Sequence, residues 1–259
     1  GRLPTYMILD DHEITNDWTQ DRKTEDADLF AAAIHSYESY QFVHGPGFTV
    51  NNQENRSDTP LKLWYSFRHG MARVFVMDTR TERFTGLQPR QMISPEQLDA
   101  LKIWLMEDGQ VETVKFIVSS VPVFPDTKVG AQDKWAHYGA QRREILDFIR
   151  QNGIRKVVFL SGDVHCSMAG QLTHPDDADF RVSTVISSSF FWPYPQGQAS
   201  GFKLSGILGG DGEGGYALEN FNQVHSEDNF TRVTTSADAL EIEYFERKGA
   251  CLGSTTLGF

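Results

Sequence analysis

The order of apolar and amphipathic segments along the chain predicts an α/β fold in which two sheets pack together with helices outside. Three observations support this prediction. Apolar segments of strand length alternate with segments of helical spacing, two of the apolar segments end in acidic and imidazole side chains, and the C-terminal part alternates as strands do. A length of 259 residues is long for one domain and short for two, and a 39% hydrophobic content is ample for a packed core.

The N-terminal elements are a strand, a helix and a hairpin. Tyr6 to Leu9 is an apolar run that predicts a short buried strand. From Thr24 to about His44, apolar residues recur at helical spacing. A polar loop, NNQENRSDTP, follows. The chain then alternates from Leu61 to Arg68, turns at Gly70 and resumes in ARVFVMDTR, which predicts a β-hairpin.

The later elements alternate between helix and strand. Ser94 is placed to cap a helix, with Pro95 at its first position and Gln97 able to complete a capping box. The segment from His137 to Asn152 is amphipathic and stops at Gly153. Strands are predicted in TVKFIVSSVPVF, RKVVFLSGDVHCS, RVSTVISSSFFW and ALEIEYF, the last two flanking a glycine-rich loop in which DGEG from residue 211 predicts a turn.

Composition excludes several classes of partner. With 24 basic and 35 acidic residues the formal net charge is -11, and no basic stripe indicates a nucleic-acid or anionic-membrane surface. No apolar run approaches the roughly 18 residues of a membrane-spanning helix, and no signal peptide opens the chain. The two cysteines, Cys166 and Cys251, do not make a disulfide framework but allow one bridge. Two cysteines are therefore compatible with both a reducing and an oxidising compartment.

Ionisable side chains follow two of the predicted strands directly. Asp10, Asp11 and His12 come after the first strand, and Asp163 and His165 come after a later one. Ligands of open α/β sheets bind beyond the carboxyl ends of the strands. In an extended segment Asp163 and His165 would project to one side and chelate a cation, to which Asp11 would add an oxygen. Such a set suits Ca²⁺, Mn²⁺, Fe or Zn²⁺. Each run alone also fits a solvated loop or a helix cap.

Four segments resemble the PhoD-like alkaline phosphatases, a branch of the metallophosphoesterase superfamily. They are ILDDHEITNDW, DTRTERF from Asp78, DKWAHYGAQRREIL from Asp133, and LSGDVHCS. The resemblance extends from Thr5 to about Ser167. It implies a metallophosphoesterase-type α/β/β/α sandwich, and it implies that residues 1–259 are the C-terminal portion of the catalytic domain.

The resemblance also implies roles for individual residues. Asp11 takes the position of the superfamily's metal-binding Asn, and His12 that of its catalytic His. Asp163 and His165 take the positions of the two closing metal ligands. Arg80, in the DTR segment, is placed to clamp phosphate oxygens with its planar fork, or else to form an ion pair with Asp78 or a neighbouring carboxylate.

Two departures from the superfamily pattern affect the expected metals. Ser120-Val121-Pro122 stands where most members carry a ligand His, which favours a harder, oxygen-bound cation, with Ca and Fe the metals that the resemblance implies and Mn or Zn as alternatives. The upstream strand and the Gly-Asp-x-x-Tyr motif, whose Asp bridges two metals, do not precede Asp10. We therefore expect the N-terminal part of the domain to be missing, which would leave self-association or that segment as partners.

The function implied is metal-dependent hydrolysis of phosphate monoesters or diesters, with a phosphate ester as substrate. One alternative is a non-catalytic binding or assembly fragment that keeps the fold but not a complete metal site. The other is a metal-dependent esterase or lactonase on a similar sheet.

Overall fold

The computed structural model describes residues 3–46, 62–107, 113–128, 132–191, 199–209 and 214–259. The polar loop predicted at 51–60, and residues 211–213 of the predicted turn, lie outside these ranges. Within them, no helix combines the length and the apolar character needed to cross a bilayer.

The large sheet is built from nine described strands, which are β1 (Tyr65–His69), β2 (Ala72–Val76), β3 (Val114–Val118), β4 (Val157–Ser161), β5 (Ser167–His174), β6 (Asp177–Ile186), β7 (Gly206–Ile207), β8 (Ala217–Glu219) and β9 (Val224–His225). Their order is β1-β2-β3-β4-β6-β5-β8-β7, with β9 beside β5. The central strands β2, β3, β4 and β6 run parallel, while β1 and β5 are antiparallel to their neighbours. The four parallel strands therefore end at one edge.

A second, antiparallel sheet contains β10 (Asn229–Thr235), β11 (Ala239–Glu246) and β12 (Cys251–Gly258) in that order. The described α-helices are α1 (Ala27–Tyr40), α2 (Pro95–Met106) and α3 (Gly139–Gln151). Short 3-10 segments occur at Gln20–Arg22, Phe42–His44, Trp135–Tyr138 and Ala199–Gly201.

Both faces of the large sheet are covered. On one face the buried side chains of α2 and α3 meet those of the strands, as Leu101 and Ile145 do with Ile117. On the other face the small sheet packs its inward residues, including Ile242, against Phe116 and neighbouring strand residues. Burying each such side chain is worth about 1.5–3 kcal/mol. The predicted combination of two packed sheets with helices outside is confirmed. Helix α1 lies beside the small sheet, against β1 and β2.

The hairpin and the start of α2 form as predicted. Tyr65 pairs with Val76 and His69 with Ala72, and Gly70 adopts the positive φ of 57° that the tight turn requires. Ser94 accepts a hydrogen bond from the backbone N–H of Gln97 at 3.1 Å.

Gln97 does not complete the predicted capping box. Its fully buried side chain instead accepts from the backbone N–H of Asp78 at 2.9 Å and donates to the Asp78 carbonyl at 3.1 Å. A buried amide is better satisfied by two backbone groups than by one group at the helix end. Gln97 thereby fixes the chain where it leaves β2.

The strand predicted at Tyr6 to Leu9 is wrong. Leu9 is buried, but the segment takes part in no sheet among the described residues. It is held by side chains instead, because Tyr6 stacks on Phe67 and the Tyr65 hydroxyl donates to the Met7 carbonyl at 2.7 Å. An apolar run predicts burial, whereas a strand also needs a backbone partner.

Candidate active site

The site lies where the parallel strands end. Arg80 follows β2, Asp163 and His165 follow β4, and Ser188 follows β6. Because the carboxyl ends of parallel strands share one edge of the sheet, these side chains come together there. The N-terminal segment and the loop before α3 complete the group.

The segment after Leu9 turns tightly and divides its side chains between two environments. The N–H of Ile14 donates to the Asp11 carbonyl at 2.8 Å, and the Asp11 carboxylate accepts from the N–H of Asp17 at 2.8 Å. Asp11 is consequently buried with one oxygen, Oδ2, fixed by the backbone. His12 is exposed and free to face a substrate.

The segment after β4 is not extended, which corrects the prediction that alternation alone would align Asp163 and His165. Both residues adopt the left-handed region, with φ of 69° and 54°. Such a conformation costs a non-glycine residue about 1–3 kcal/mol and needs support from its surroundings. Part of that support is a hydrogen bond of 3.1 Å from the N–H of His165 to Ser188 Oγ.

The small sheet supports this segment through a buried polar network. The hydroxyl of Ser167 donates to the side-chain carbonyl of Asn229 at the start of β10. The N–H of Ser188 donates to that same hydroxyl at 3.0 Å, and the N–H of Asn229 donates to the Ser189 carbonyl at 2.8 Å. Asn229 is therefore connected to His165 through Ser167 and Ser188.

Carboxylates gather around one buried guanidinium. Asp10, Asp11 and Asp163 each offer an oxygen within 4.8 Å of the others. Arg80 is fully buried, and its Nη2 lies 2.6 Å from Asp10, 3.9 Å from Asp11, 3.7 Å from Asp163 and 3.6 Å from Asp133. Its Nη1 has no hydrogen-bond partner among the described residues. Arg80 is thus paired with Asp10 and not with Asp78, which accepts only its backbone N–H.

Lys134 supplies a second positive charge. Its ammonium lies 2.7 Å from Asp133 Oδ2 and in closer contact with Asp163 Oδ2. Four carboxylates thus face two cationic side chains, which leaves an excess of negative charge.

Burial and neighbouring charges shift the pKa values of the site residues in different directions. Burial raises the pKa of Asp163 to about 6, although Lys134 opposes the shift. Burial would also raise the pKa of Asp133, but the charges of Lys134 and Arg80 outweigh it and lower that pKa. Burial, followed by Lys134 and His12, lowers the pKa of His165. A neutral imidazole and ionised carboxylates are the forms that bind cations.

A cavity of about 870 Å³ opens beside these groups. Its wall combines both predicted site segments with residues from further loops, namely Asp10, Asp11, His12, Glu13, Asn16, Asp17, Thr127, Asp133, Lys134, Asp163, Val164, His165, Ser188, Ser189, Gly201 and Phe202. The cavity is large enough for a small phosphate ester.

Of the residues predicted from sequence, Asp11, His12, Asp163 and His165 all line this cavity. Asp11 and Asp163 belong to the group of close carboxylates, in which Asp10 is the third member. Arg80 lies behind them.

Sequence reasoning gave no role to Asp10, Asp133 or Lys134. Asp10 stands next to a predicted ligand, and Asp133 opens the segment DKWAHYGAQRREIL. Their acidic character was a usable signal. Lys134 offered no such signal, because a lysine in a loop is ordinarily solvated.

Comparison with known proteins indicates the family to which the chain belongs. A family model described as PhoD-like phosphatase matches residues 1–200. The chain belongs to the PhoD-like phosphatase family. Alkaline phosphatase D of Bacillus subtilis (strain 168) is 26% identical over 195 residues, which cover 66% of this chain and 32% of that protein. In this family, a solved structure of PhoD matches with a TM-score of 0.65 and 20% identity, covering 96% of this chain and 50% of that one. The chain thus spans about a third to a half of these relatives.

Proposed function

We propose that this chain provides the metal-binding and substrate-facing residues of an enzyme that hydrolyses phosphate monoesters, diesters or both. The observation that carries the proposal is the meeting of Asp10, Asp11 and Asp163 with His12 and His165 at one cavity, in a chain of the PhoD-like phosphatase family. The domain assignment, residues 1–259 as the C-terminal portion of the catalytic domain, remains part of this proposal.

The donor set fits a metal ion. Three carboxylate oxygens within 4.8 Å of one another, and more negative than positive charge around them, suit hard cations. Asp11, Asp163 and His165 are the proposed ligands, with Asp10 as a further oxygen donor. Ca and Fe are the metals we favour, with Mn or Zn as alternatives. Metal ions at such a site supply Lewis-acid stabilisation to a phosphoryl group.

The remaining roles belong to the chain itself. His12 is exposed at the cavity and would donate a proton to the leaving oxygen or stabilise charge on the phosphoryl group. Arg80 is fully buried and is not part of the cavity lining, which supports a role in holding Asp10 and Asp11 over its predicted role as a phosphate clamp.

The decisive experiment measures turnover of p-nitrophenyl phosphate and its bis-ester by the full-length protein with Ca²⁺, Fe, Mn²⁺ or Zn²⁺ added. His12→Ala should reduce kcat by about 10²–10⁴-fold with bound metal unchanged. The matched control is His69→Ala, which removes an exposed imidazole from the hairpin. Equal losses in both variants, or none in His12→Ala on a poor leaving group such as an alkyl phosphate, would contradict this role.

The ligand assignment has its own test. Asp163→Asn and His165→Ala should both lower the amount of metal per chain in elemental analysis, while Asp28→Asn, an exposed carboxylate on α1, should not. Unchanged metal in both site variants would remove Asp163 and His165 from the ligand set.

A non-catalytic binding fragment is the second candidate. It is favoured by one observation, that Arg80 and Lys134 already neutralise part of the carboxylate charge. Phosphate binding without metal uptake or turnover would support it. A metal-dependent esterase or lactonase would instead turn over carboxylic esters without inhibition by phosphate.

A further inference from the structure

Lys134 occupies an unusual place for a lysine. Its side chain is 13% exposed, and its ammonium is held between Asp133 and Asp163. The same residue lines the cavity. Because Lys134 borders the cavity, its side chain can move into that space without unfolding its surroundings.

Asp163 is the residue that this contact affects most. Its Oδ2 contacts the Lys134 ammonium, and its Oδ1 lies 3.7 Å from Nη2 of Arg80. Each oxygen of a proposed metal ligand therefore already faces a positive charge from the chain. A metal ion can reach Asp163 only if one of these charges withdraws, because like charges at such distances repel.

The two cations differ in how easily they can withdraw. Arg80 is fully buried behind the carboxylates, and its rigid fork reaches Asp10 through both Nε and Nη2. Lys134 carries a compact charge on a flexible four-carbon stem beside the cavity. Movement of Lys134 disturbs only its own ion pairs, whereas movement of Arg80 would unpair a carboxylate at the back of the site.

We propose that Lys134 is a displaceable counter-ion, which holds Asp133 and Asp163 together in the metal-free protein and swings into the cavity when a metal ion binds Asp163. The inference rests on the proposed function in so far as Asp163 is a metal ligand. Lys134 thereby weakens metal binding and sets the metal concentration at which the site assembles.

The first test follows the lysine itself. The full-length protein is acetylated with an N-hydroxysuccinimide ester, with and without Mn²⁺, and the modified lysines are quantified by mass spectrometry. Labelling of Lys134 should rise several-fold with Mn²⁺. Lys62, which is exposed, and Lys115, which is buried, are internal controls that should not change. Labelling of Lys134 that stays constant or falls while Mn²⁺ binds would overturn the proposal.

The second test measures Mn²⁺ affinity by titration calorimetry. Lys134→Met keeps the length of the side chain and removes its charge, so it should bind Mn²⁺ about tenfold or more tightly, as expected when one repelling unit charge is removed. Lys134→Arg keeps the charge on a less easily displaced fork and should bind Mn²⁺ no more tightly than the original protein, and Lys102→Met on α2 is the distant control. Equal affinity in the original protein and Lys134→Met overturns this inference alone. Absence of Mn²⁺ binding in all variants overturns the metal site and the inference together.

Discussion

Two buried arginines in this molecule have opposite electrostatic surroundings. Arg142 on α3 is paired with Asp126 at 2.6 Å, and it also donates to the Val123 carbonyl at 2.9 Å. The other oxygen of Asp126 accepts from the N–H of Gly209 at 3.1 Å. Arg80 instead faces four carboxylates, two of which, Asp133 and Asp163, also contact Lys134.

The difference distinguishes a structural ion pair from a site that can accept a cation. The pair of Arg142 and Asp126 is itself balanced in charge and ties α3 to the loop after β3, and both oxygens of Asp126 already accept hydrogen bonds from the chain. The group around Arg80 keeps an excess of negative charge in a low-dielectric region beside a cavity, where a cation is strongly attracted. Arg142 and Arg80 are both buried, but they differ in the ratio of negative to positive charges around them.

The largest expected effect is on the balanced pair. Arg142→Met should lower the free energy of unfolding by about 3–5 kcal/mol, because it leaves the Asp126 carboxylate buried without its partner. Urea denaturation measures the loss, which should be the same with a chelator and with Mn²⁺. The neighbouring exposed Arg143→Met is the control. A loss that Mn²⁺ repairs would remove the distinction between the two arginines.

The next prediction concerns Asp78, a buried carboxylate that accepts hydrogen bonds from Thr81 and from the backbone of Arg80. Burial raises its pKa to about 6 from the ordinary 3.8. Between these two pH values Asp78 keeps its proton in the folded protein but releases it in the unfolded chain. The contribution of Asp78 to the free energy of unfolding is therefore fully present below pH 3.8 and is lost as the pH rises through 6. The fall attributable to Asp78 is on the order of 3 kcal/mol.

The measurement compares urea denaturation of the original protein and Asp78→Asn from pH 4 to 7, both with a chelator. Asp163, whose pKa burial also raises to about 6, contributes in the same range and is common to both proteins. The variant should therefore show a shallower pH dependence. Identical slopes would mean that Asp78 is ionised in the folded protein throughout.

Arg80→Met should reverse the result for Arg142. Without metal, the variant is destabilised because Asp10 loses its partner. With Mn²⁺ at about a hundredfold excess over its Kd, binding to the folded state should restore about 2–3 kcal/mol. Thermal unfolding is compared with that of the original protein, with and without Mn²⁺: the loss caused by Arg80→Met should shrink when Mn²⁺ is added, while the loss caused by Arg142→Met should stay the same. A variant that Mn²⁺ fails to stabilise would show that the excess of carboxylates does not attract a cation.

The smallest effect belongs to an exposed ion pair. Lys62 and Glu96 lie 2.6 Å apart with both side chains largely in solvent. Glu96→Gln should change the free energy of unfolding by about 0.5 kcal/mol or less, since solvent screens such pairs. Urea denaturation at low and high salt measures it. A loss comparable to that of Arg142→Met would mean that burial is not what makes the buried pairs matter.

Sequence patterns predicted the parts of this fold that depend on local chemistry. The hairpin around Gly70, the Ser94 cap and the strands β3 and β4 each carry their own signal, in alternation, capping or a continuous apolar run. Strand β5 carries none of these. Its segment SMAGQLTH is small and polar, yet it is largely buried, because it lies between β6 and β8 in the large sheet. Gly170 also lets the ring of Phe221 approach where a Cβ would lie 2.4 Å away.

The candidate site was predictable in its residue types but not in its geometry. Asp11 and Asp163 stand at recognisable strand ends or next to apolar runs. The left-handed backbone at Asp163 and His165 has no local signature, since it depends on the Ser188 hydroxyl from another strand end. The contact of Lys134 with Asp163 joins two segments that are distant in sequence, and no short sequence pattern predicts it.

The chain of hydrogen bonds from Asn229 to Ser188 has a consequence for protein engineering. The three C-terminal strands look like an exchangeable module, since they form a sheet of their own. Yet Asn229, at the first residue of that sheet, is hydrogen-bonded to the turn that presents His165. A chimera that imported these strands from a relative would therefore also change the support of the segment that carries His165. A crossover after Asn229 is safer, because Asn229 and the hydroxyls of Ser167 and Ser188 then come from the same parent.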